Sequence, residues 1–239
     1  MKVKLNAPAG TTYNLYSDMA NQTHLLVAGA TGSGKSVVIN GVLTTLLYKF
    51  PWQASFILID PKRVELSPYK HLPHTIRYAS EPKEMVSALR FAMDIVNARY
   101  KEMEKKRQRI FNGGDIYVVV DEWADLVTTN RKEVEPLMQR LLQIGRASRV
   151  HVILATQSPI CEIINTKLKC NLDSRVGLRT RSNSDSRNIL GHGGLENLPK
   201  YGQGVYMTPE GETLYKIPYV PEREQYRLIN WWERQYRRA

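Results

Sequence analysis

Residues 24–36 read HLLVAGATGSGKS, an apolar run followed by a glycine-rich loop. The run from His24 to Gly29 is short and continuous, as expected of a buried strand, and a helix is expected to begin near Gly34. Between them the chain matches the pattern G-x-x-x-x-G-K-[ST] of a phosphate-binding loop at every fixed position. We therefore predict a P-loop formed by Gly29, Ala30, Thr31, Gly32, Ser33, Gly34, Lys35 and Ser36.

This loop predicts binding of ATP and Mg²⁺ for physical reasons. Glycines let successive backbone N–H groups point inward around a phosphate, and the N-terminus of the following helix adds partial positive charge. Lys35 supplies a cation for the β- and γ-phosphates, and Ser36 supplies a hydroxyl for Mg²⁺.

Three further apolar runs have the length of buried strands: SFILID (55–60), IYVVVD (116–121) and HVILAT (151–156). Helical periodicity separates them. One predicted helix has apolar positions from Met85 to Val96 and runs on through charged residues until Asn112-Gly113-Gly114. A second predicted helix has one apolar face, formed by Val134, Leu137, Met138, Leu141 and Leu142.

Buried strands that alternate with helices are typical of a sheet covered on both faces. We therefore predict an α/β P-loop NTPase with a mostly parallel central sheet flanked by helices. Beyond Gly202, GVYMT (204–208) and LYKIP (214–218) predict a hairpin, and a terminal helix is expected over 224–238.

The composition narrows the class of protein. The chain has 239 residues, 42% hydrophobic and 24% charged, which excludes disorder and a fibre. Its net charge of +11 favours a polyanionic partner such as nucleic acid, although solubility alone also explains many basic proteins.

Two cysteines, Cys161 and Cys170, are too few for a disulfide framework or a metal site. Because no run approaches the ~20 apolar residues of a membrane span and the start lacks a signal core, we expect a cytoplasmic protein.

Two acidic residues follow the IYVVV strand, where a parallel strand delivers side chains to the ligand crevice. Asp121 is expected to hold Mg²⁺, and Glu122 to polarise the water that attacks the γ-phosphate. The alternative is a helix N-cap with an acidic first turn. Gln157 ends the ILATQ strand and is expected to sense the γ-phosphate or orient the water; a polar strand end without such a role is the alternative.

Five segments, in order and spacing, resemble the motor domain of the FtsK/SpoIIIE DNA translocases: HLLVAGATGSGKS, LIDPKRVELSPY, VVVDEWADL, GRASRVHVILATQSP and DSRNILGHGG. The resemblance extends from about Leu15 to Met207. It implies a RecA-like ATPase that forms a hexameric ring and moves double-stranded DNA through a central pore, with each ATP bound at a subunit boundary.

The same resemblance implies residues that act on the neighbouring subunit's ATP. The family's trans-acting arginine corresponds to Arg146, and a second trans-acting cation corresponds to Lys169. An arginine facing the charge that develops on the phosphoryl group strongly accelerates its transfer. The alternative for both residues is a solvated cation without this role, which at a helix end also favours the dipole.

The family's pore loops lie between the ATQ strand and the DSR motif. Many members have an arginine after ATQ and a lysine before DSR, where this chain has Ser158 and Asn183. Arg179 and Arg181 are expected to supply the compensating charge for DNA binding. Residues 167–187 carry six Lys/Arg and two Asp, a net +4 that suits a surface following phosphates or an ordinary solvated face.

A single motor domain over residues 1–239 is expected. The transmembrane segments, further motor subdomain and winged-helix module of membrane-anchored family members have no room here, so anchoring and sequence-directed movement are not implied. Two related functions stay open: a ring ATPase that drives protein export, of the EccC type, and a nucleotide-gated assembly or defence subunit. The net +11 and the basic stretch favour DNA over polypeptide.

Two other segments have open interpretations. RYKEMEKKRQR (99–109) is expected to be a salt-bridged exposed helix face, with DNA or subunit contact as the alternative. Trp231 and Trp232 in the terminal helix are expected to dock on the chain's own core, with base stacking or packing on a neighbouring subunit as the alternatives.

Overall fold

An eight-stranded sheet forms the centre of the computed structural model, which describes residues 2–5, 15–18, 23–217 and 219–236. In chain order, the strands of the protein are β1 (Lys2–Leu5), β2 (Leu15–Asp18), β3 (Leu25–Ala28), β4 (Ala54–Ile59), β5 (Thr75–Ala79), β6 (Asp115–Val120), β7 (Val150–Thr156), β8 (Ser174–Leu178), β9 (Gln203–Thr208) and β10 (Gly211–Lys216). The sheet order is β10-β9-β8-β3-β7-β6-β4-β5, and β1 pairs with β2 separately. From β8 to β5 the neighbours are parallel, whereas β9 and β10 are antiparallel additions at one edge.

The described part of the chain contains six α-helices. They are α1 (Lys35–Lys49), α2 (Pro82–Lys106), α3 (Trp123–Ile144), α4 (Thr166–Lys169), α5 (Asn183–Leu190) and α6 (Glu222–Tyr236), with short 3₁₀ turns at Ser67–Tyr69 and Leu195–Asn197. No helix in the described part of the chain combines the length and apolarity that crossing a membrane requires.

Helices cover both faces of the sheet, and successive residues of a strand point to opposite faces. In β3, Leu26 and Ala28 pack with α2 and α3, whereas Leu25 and Val27 pack with α1 and α6. This explains why the central strands are continuous apolar runs instead of alternating ones. The predicted α/β fold, its mostly parallel sheet, the C-terminal hairpin and the terminal helix are confirmed.

The ends of two helices differ from the sequence predictions. Helix α2 ends at Lys106, before Asn112, because Arg107 adopts a left-handed conformation (φ 53°) and its N–H caps the last turn. Helix α3 begins earlier than its apolar face indicated and contains a kink at Asn130. The last two residues predicted for the terminal helix, 237 and 238, lie outside the described residues.

The two segments with open interpretations, 99–109 and Trp231-Trp232, both make contacts within this chain. Glu102 and Lys106 form the expected i,i+4 ion pair at 2.6 Å on the exposed face of α2. Trp232 is buried edge-on against His74, with ring centroids 4.7 Å apart, whereas Trp231 is half exposed. Cys161 and Cys170 are both free, as expected.

Candidate nucleotide-binding site

The predicted P-loop lies at the carboxyl edge of the sheet, held between two strand ends. The Ala30 N–H donates to the Arg179 carbonyl just beyond β8 (2.8 Å), and the Gly29 N–H faces the Thr156 carbonyl at the end of β7 (3.4 Å). The loop then opens directly into α1. The strand–loop–helix context that the motif requires is therefore present.

Two positions of this loop require glycine for steric reasons. Gly34, the residue before α1, has φ 105°, a conformation that L side chains rarely adopt. A Cβ added to Gly29 would lie 2.7 Å from Leu178 Cβ and from Ser33 Oγ. A side chain at either position would disturb the loop that is expected to surround the phosphates.

Lys35 extends back over the loop. Its Nζ donates to the carbonyls of Gly29 (2.9 Å) and Ala30 (3.0 Å), and its side chain is buried. Burial lowers the pKa of Lys35 to about 8, against the opposing effect of Glu122 and Asp121 nearby. Lys35 is therefore a buried cation, and an anion bound in the loop would compensate its charge.

The acidic pair lies beside this lysine at the end of β6. Asp121 and Glu122 are 7% and 2% exposed, so both are sheltered from bulk water. Burial, together with the nearby carboxylates of Asp60, Glu65 and Glu122, raises the pKa of Asp121 to about 7. Such a concentration of negative charge is what a divalent cation offsets.

Glu122 is held by the end of the neighbouring strand. Its Oε1 accepts from Thr156 Oγ1 (2.8 Å) and from the Gln157 N–H (3.0 Å), and its Oε2 lies 3.5 Å from Lys62 Nζ. Glu122 occupies the N-cap position of α3, yet its side chain makes no capping hydrogen bond. The structure therefore has the N-cap position and the acidic first turn of the alternative, with Asp125 in that turn, but the Glu122 carboxylate bonds to the end of β7 and not to the helix.

Gln157 contacts the P-loop directly, because Thr31 Oγ1 donates to its Oε1 at 2.7 Å. The structure also places Lys62, just after β4, next to Glu122. Sequence reasoning did not assign Lys62 a role. The available signal was its position one residue beyond the strand-end Asp60-Pro61, inside the LIDPKRVELSPY motif.

Arg179 and Arg181 lie beside the P-loop. They line a cavity of about 450 Å³ together with Ala30, Thr31, Ser33, Thr180, Glu196 and Lys200. Arg175, within the same basic stretch, points elsewhere: its guanidinium donates to the carbonyls of Leu172, Ile189 and Lys169. The net positive charge of residues 167–187 is therefore only partly available to a ligand.

The two cations expected to act in trans lie away from this edge. Arg146 is exposed in the loop between α3 and β7, and so precedes the amino end of β7. The seven residues of β7 span roughly 23 Å at ~3.3 Å each, which separates Arg146 from the P-loop edge. Lys169 ends α4, and its carbonyl accepts from Arg175 near the start of β8.

The residues present fit a bound nucleotide with Mg²⁺. Ser33 Oγ is buried in the P-loop without a hydrogen-bond partner in the described part of the chain, as a donor awaiting a phosphate oxygen would be. Ser36, at the start of α1, and Asp121 offer the oxygen ligands that Mg²⁺ prefers. The predicted P-loop and acidic pair thus converge at one edge, whereas the assignment of individual roles stays a prediction.

The fold and this edge define a P-loop nucleotide-binding protein. The model of the FtsK/SpoIIIE family matches residues 2–115 and 114–160. The chain belongs to this family, as the resemblance of its motifs predicted.

Two curated relatives support this family membership. DNA translocase FtsK of Rickettsia typhi is 37% identical over 237 residues, covering 81% of this chain and 32% of the relative. DNA translocase FtsK of Pseudomonas syringae pv. tomato is 34% identical over 256 residues, covering 91% of this chain and 32% of the relative. The chain therefore spans about a third of the length of these relatives.

Solved structures share the fold. The pCW3 conjugation coupling protein TcpA, in its monomer form with ATPγS, has a TM-score of 0.81 at 22% identity, covering 92% of this chain and 68% of that chain. EssC of Geobacillus thermodenitrificans has a TM-score of 0.84 at 16% identity, covering 99% of this chain and 48% of that chain. At these identities the likeness concerns the fold alone.

Proposed function

We propose that this chain is an ATP-hydrolysing motor domain that binds and moves double-stranded DNA. In this proposal the chain works as a hexameric ring in which each ATP site is completed by the neighbouring subunit.

 The observation that carries the proposal is that the P-loop and the proposed trans-acting arginine lie at opposite edges of the sheet. The P-loop and Glu122 lie at the carboxyl edge of the sheet, whereas Arg146 precedes the amino end of β7. The two curated relatives described above are both named DNA translocase FtsK.

Within one subunit, the chemistry is divided among the residues at the carboxyl edge. Lys35 and the P-loop N–H groups bind and orient the triphosphate, while Ser36 and Asp121 would hold Mg²⁺, which neutralises charge on the β- and γ-phosphates. Glu122 polarises the attacking water, and Gln157 orients that water or senses the γ-phosphate. Because Glu122 and Gln157 are joined by hydrogen bonds of 3.0 and 3.1 Å from the Gln157 N–H, the two act as a unit.

The neighbouring subunit supplies the remaining charge. Arg146 is exposed and too far along β7 to serve its own P-loop, so a head-to-tail contact is needed to bring it to an ATP. Repeating such a contact closes a ring when its rotation is right, and we propose a hexamer. Lys169 is proposed to accompany Arg146 in this role.

DNA is the proposed substrate of movement because of charge. The chain carries a net +11, and the exposed cations Arg179 and Arg181 lie next to the P-loop. The Ala30 N–H donates to the Arg179 carbonyl, so the segment proposed to bind DNA phosphates is hydrogen-bonded to the P-loop. Such a connection offers a route by which DNA binding alters ATP hydrolysis.

The decisive experiment compares polymers as stimulants of ATP hydrolysis. We expect duplex DNA to increase the ATPase rate several-fold and an unfolded polypeptide to leave it unchanged. The stimulation should decline steeply with salt, because each neutralised phosphate contributes to counterion release. Stimulation by polypeptide alone would indicate a protein-export motor, and hydrolysis indifferent to both would indicate an assembly subunit.

Replacing Arg179 and Arg181 together with alanine should weaken duplex-DNA binding. Two lost phosphate contacts should make the slope of log K against log salt shallower by roughly 0.9 each. Titration of labelled duplex at several salt concentrations measures both quantities. The matched control is Lys132→Ala with Arg140→Ala, which removes equal charge from the exposed side of α3. If the two double variants bind DNA alike, the phosphate contacts lie elsewhere on the chain.

A further inference from the structure

The loop that carries Arg146 is fixed by a buried ion-pair cluster at the amino edge of the sheet. This cluster consists of Asp115, the first residue of β6, with Arg149 and His151. Arg149 Nε and Nη2 donate to the two Asp115 carboxylate oxygens at 2.9 and 2.7 Å, a bidentate pair. His151 Nε2 lies 2.9 Å from Asp115 Oδ1. The carboxylate is therefore saturated by two partners from the α3–β7 segment.

Asp115 is charged despite its burial. It is 3% exposed, and burial alone would raise its pKa; hydrogen bonds from His151 and Arg149 outweigh burial and bring the pKa down to about 2. A charged group in this position holds its partners firmly, because releasing either one would leave a buried charge without compensation.

Arg149 connects the cluster to Arg146. The Arg149 N–H donates to the Arg146 carbonyl at 3.2 Å, closing the turn, and the Arg149 carbonyl accepts from the Ile116 N–H at 3.0 Å. Arg149 also has φ 56°, a left-handed conformation that costs an L residue conformational energy. The pair with Asp115 offsets that cost and keeps the turn in one conformation.

Helix α2 supports the same loop from the other side. Arg99 Nη1 donates to the carbonyls of Ser148 (2.7 Å) and Arg149 (3.2 Å), and Tyr100 Oη donates to the Ile144 carbonyl (3.1 Å). The Phe111 N–H donates to the Ala147 carbonyl at 2.9 Å. The backbone of the turn is thus held by hydrogen bonds, whereas the Arg146 side chain is exposed.

We propose that Asp115 and Arg149 are positioning residues for Arg146: their ion pair holds the turn so that the Arg146 guanidinium is presented to the ATP of the neighbouring subunit. This inference rests on the proposed trans role of Arg146. It assigns a task to Asp115 and Arg149, neither of which is near its own subunit's P-loop.

The chain offers a variant that removes the pair and keeps the backbone conformation of residue 149. Arg149→Gly deletes the guanidinium, and glycine adopts φ 56° without strain. Arg149→Lys is the conservative partner, since it keeps the charge and loses the bidentate geometry. Thermal unfolding of both variants checks that the subunits remain folded.

The test uses mixed rings in which the subunit that donates the arginine can be chosen. A parent mixture combines Lys35→Ala subunits, which retain Arg146, with Arg146→Ala subunits, which retain the P-loop; only composite sites hydrolyse ATP. Arg149→Gly is then added either to the Lys35→Ala subunit, the donor, or to the Arg146→Ala subunit, the acceptor. All mixtures are co-expressed, and mixed rings are verified by native mass spectrometry.

We expect Arg149→Gly in the donor to lower the composite ATPase rate at least ~10-fold and the same change in the acceptor to alter it less than ~2-fold. Arg149→Lys in the donor should give an intermediate rate. Equal losses in donor and acceptor would reveal a general structural role and overturn the inference, as would the absence of any loss in the donor. An inactive parent mixture would instead remove the proposed trans role itself, and this inference with it.

Discussion

The Arg146→Ala protein is expected to bind ATP through its own Lys35 and yet to hydrolyse it on the order of 10³-fold more slowly, by analogy with arginine fingers supplied in trans. Lys35→Ala is expected to abolish hydrolysis and weaken nucleotide binding, because the phosphates lose their buried cation. Mixing the two should regenerate activity, since each composite site takes its P-loop from one subunit and its arginine from the next. Steady-state ATPase assays of co-expressed mixtures measure this recovery.

Restoration depends on subunit contact, so the control is each variant assembled alone at the same total concentration. Recovery should scale with the fraction of mixed neighbours in the ring. If rings demonstrably contain both variants and the mixture is no more active than either parent, Arg146 does not act in trans. A monomer with full DNA-stimulated activity would contradict the ring as a whole.

The second large effect is expected from Glu122→Gln. The change is nearly isosteric and leaves an oxygen to accept from Thr156 and the Gln157 N–H, so ATP–Mg²⁺ binding should persist. Turnover should fall at least ~100-fold, because the amide cannot accept a proton from the attacking water. Single-turnover hydrolysis and nucleotide binding, measured on the same preparation, separate the two effects.

Asp125→Asn is the matched control for this change, since Asp125 lies in the first turn of the same helix. It removes a carboxylate three residues away and should leave turnover close to wild type. Should Glu122→Gln behave like Asp125→Asn, Glu122 would serve only to fix the end of β7.

The sequence predicted the central sheet because its strands are long apolar runs buried on both faces. It did not predict β5 and β8, for two different physical reasons. β5, TIRYA, lies at the edge of the sheet opposite β10 and is only partly buried, so it carries polar residues. β8, SRVGL, contains Arg175, whose charge is satisfied by three backbone carbonyls that no local pattern shows.

The same distinction applies to the site. The P-loop is one continuous stretch of sequence, and the acidic pair is another. Each could therefore be predicted from a local pattern. The contacts of Lys62 with Glu122, and of Asp115 with Arg149, join residues from different strands. Such pairs depend on the order of strands in the sheet, which apolar periodicity does not specify.

Strand β7 has a further consequence for how the ring would work. One end is followed by Gln157, which contacts the P-loop, and the other end is preceded by the turn that carries Arg146. In the proposed ring, this single strand would connect two nucleotide sites. If the strand couples the two sites, the coupling is reciprocal, and ATP at one site and ATP at the next would change each other's affinity by the same factor. In a closed ring, binding isotherms would therefore show cooperativity between neighbours, and breaking one boundary would reduce it at both adjoining sites.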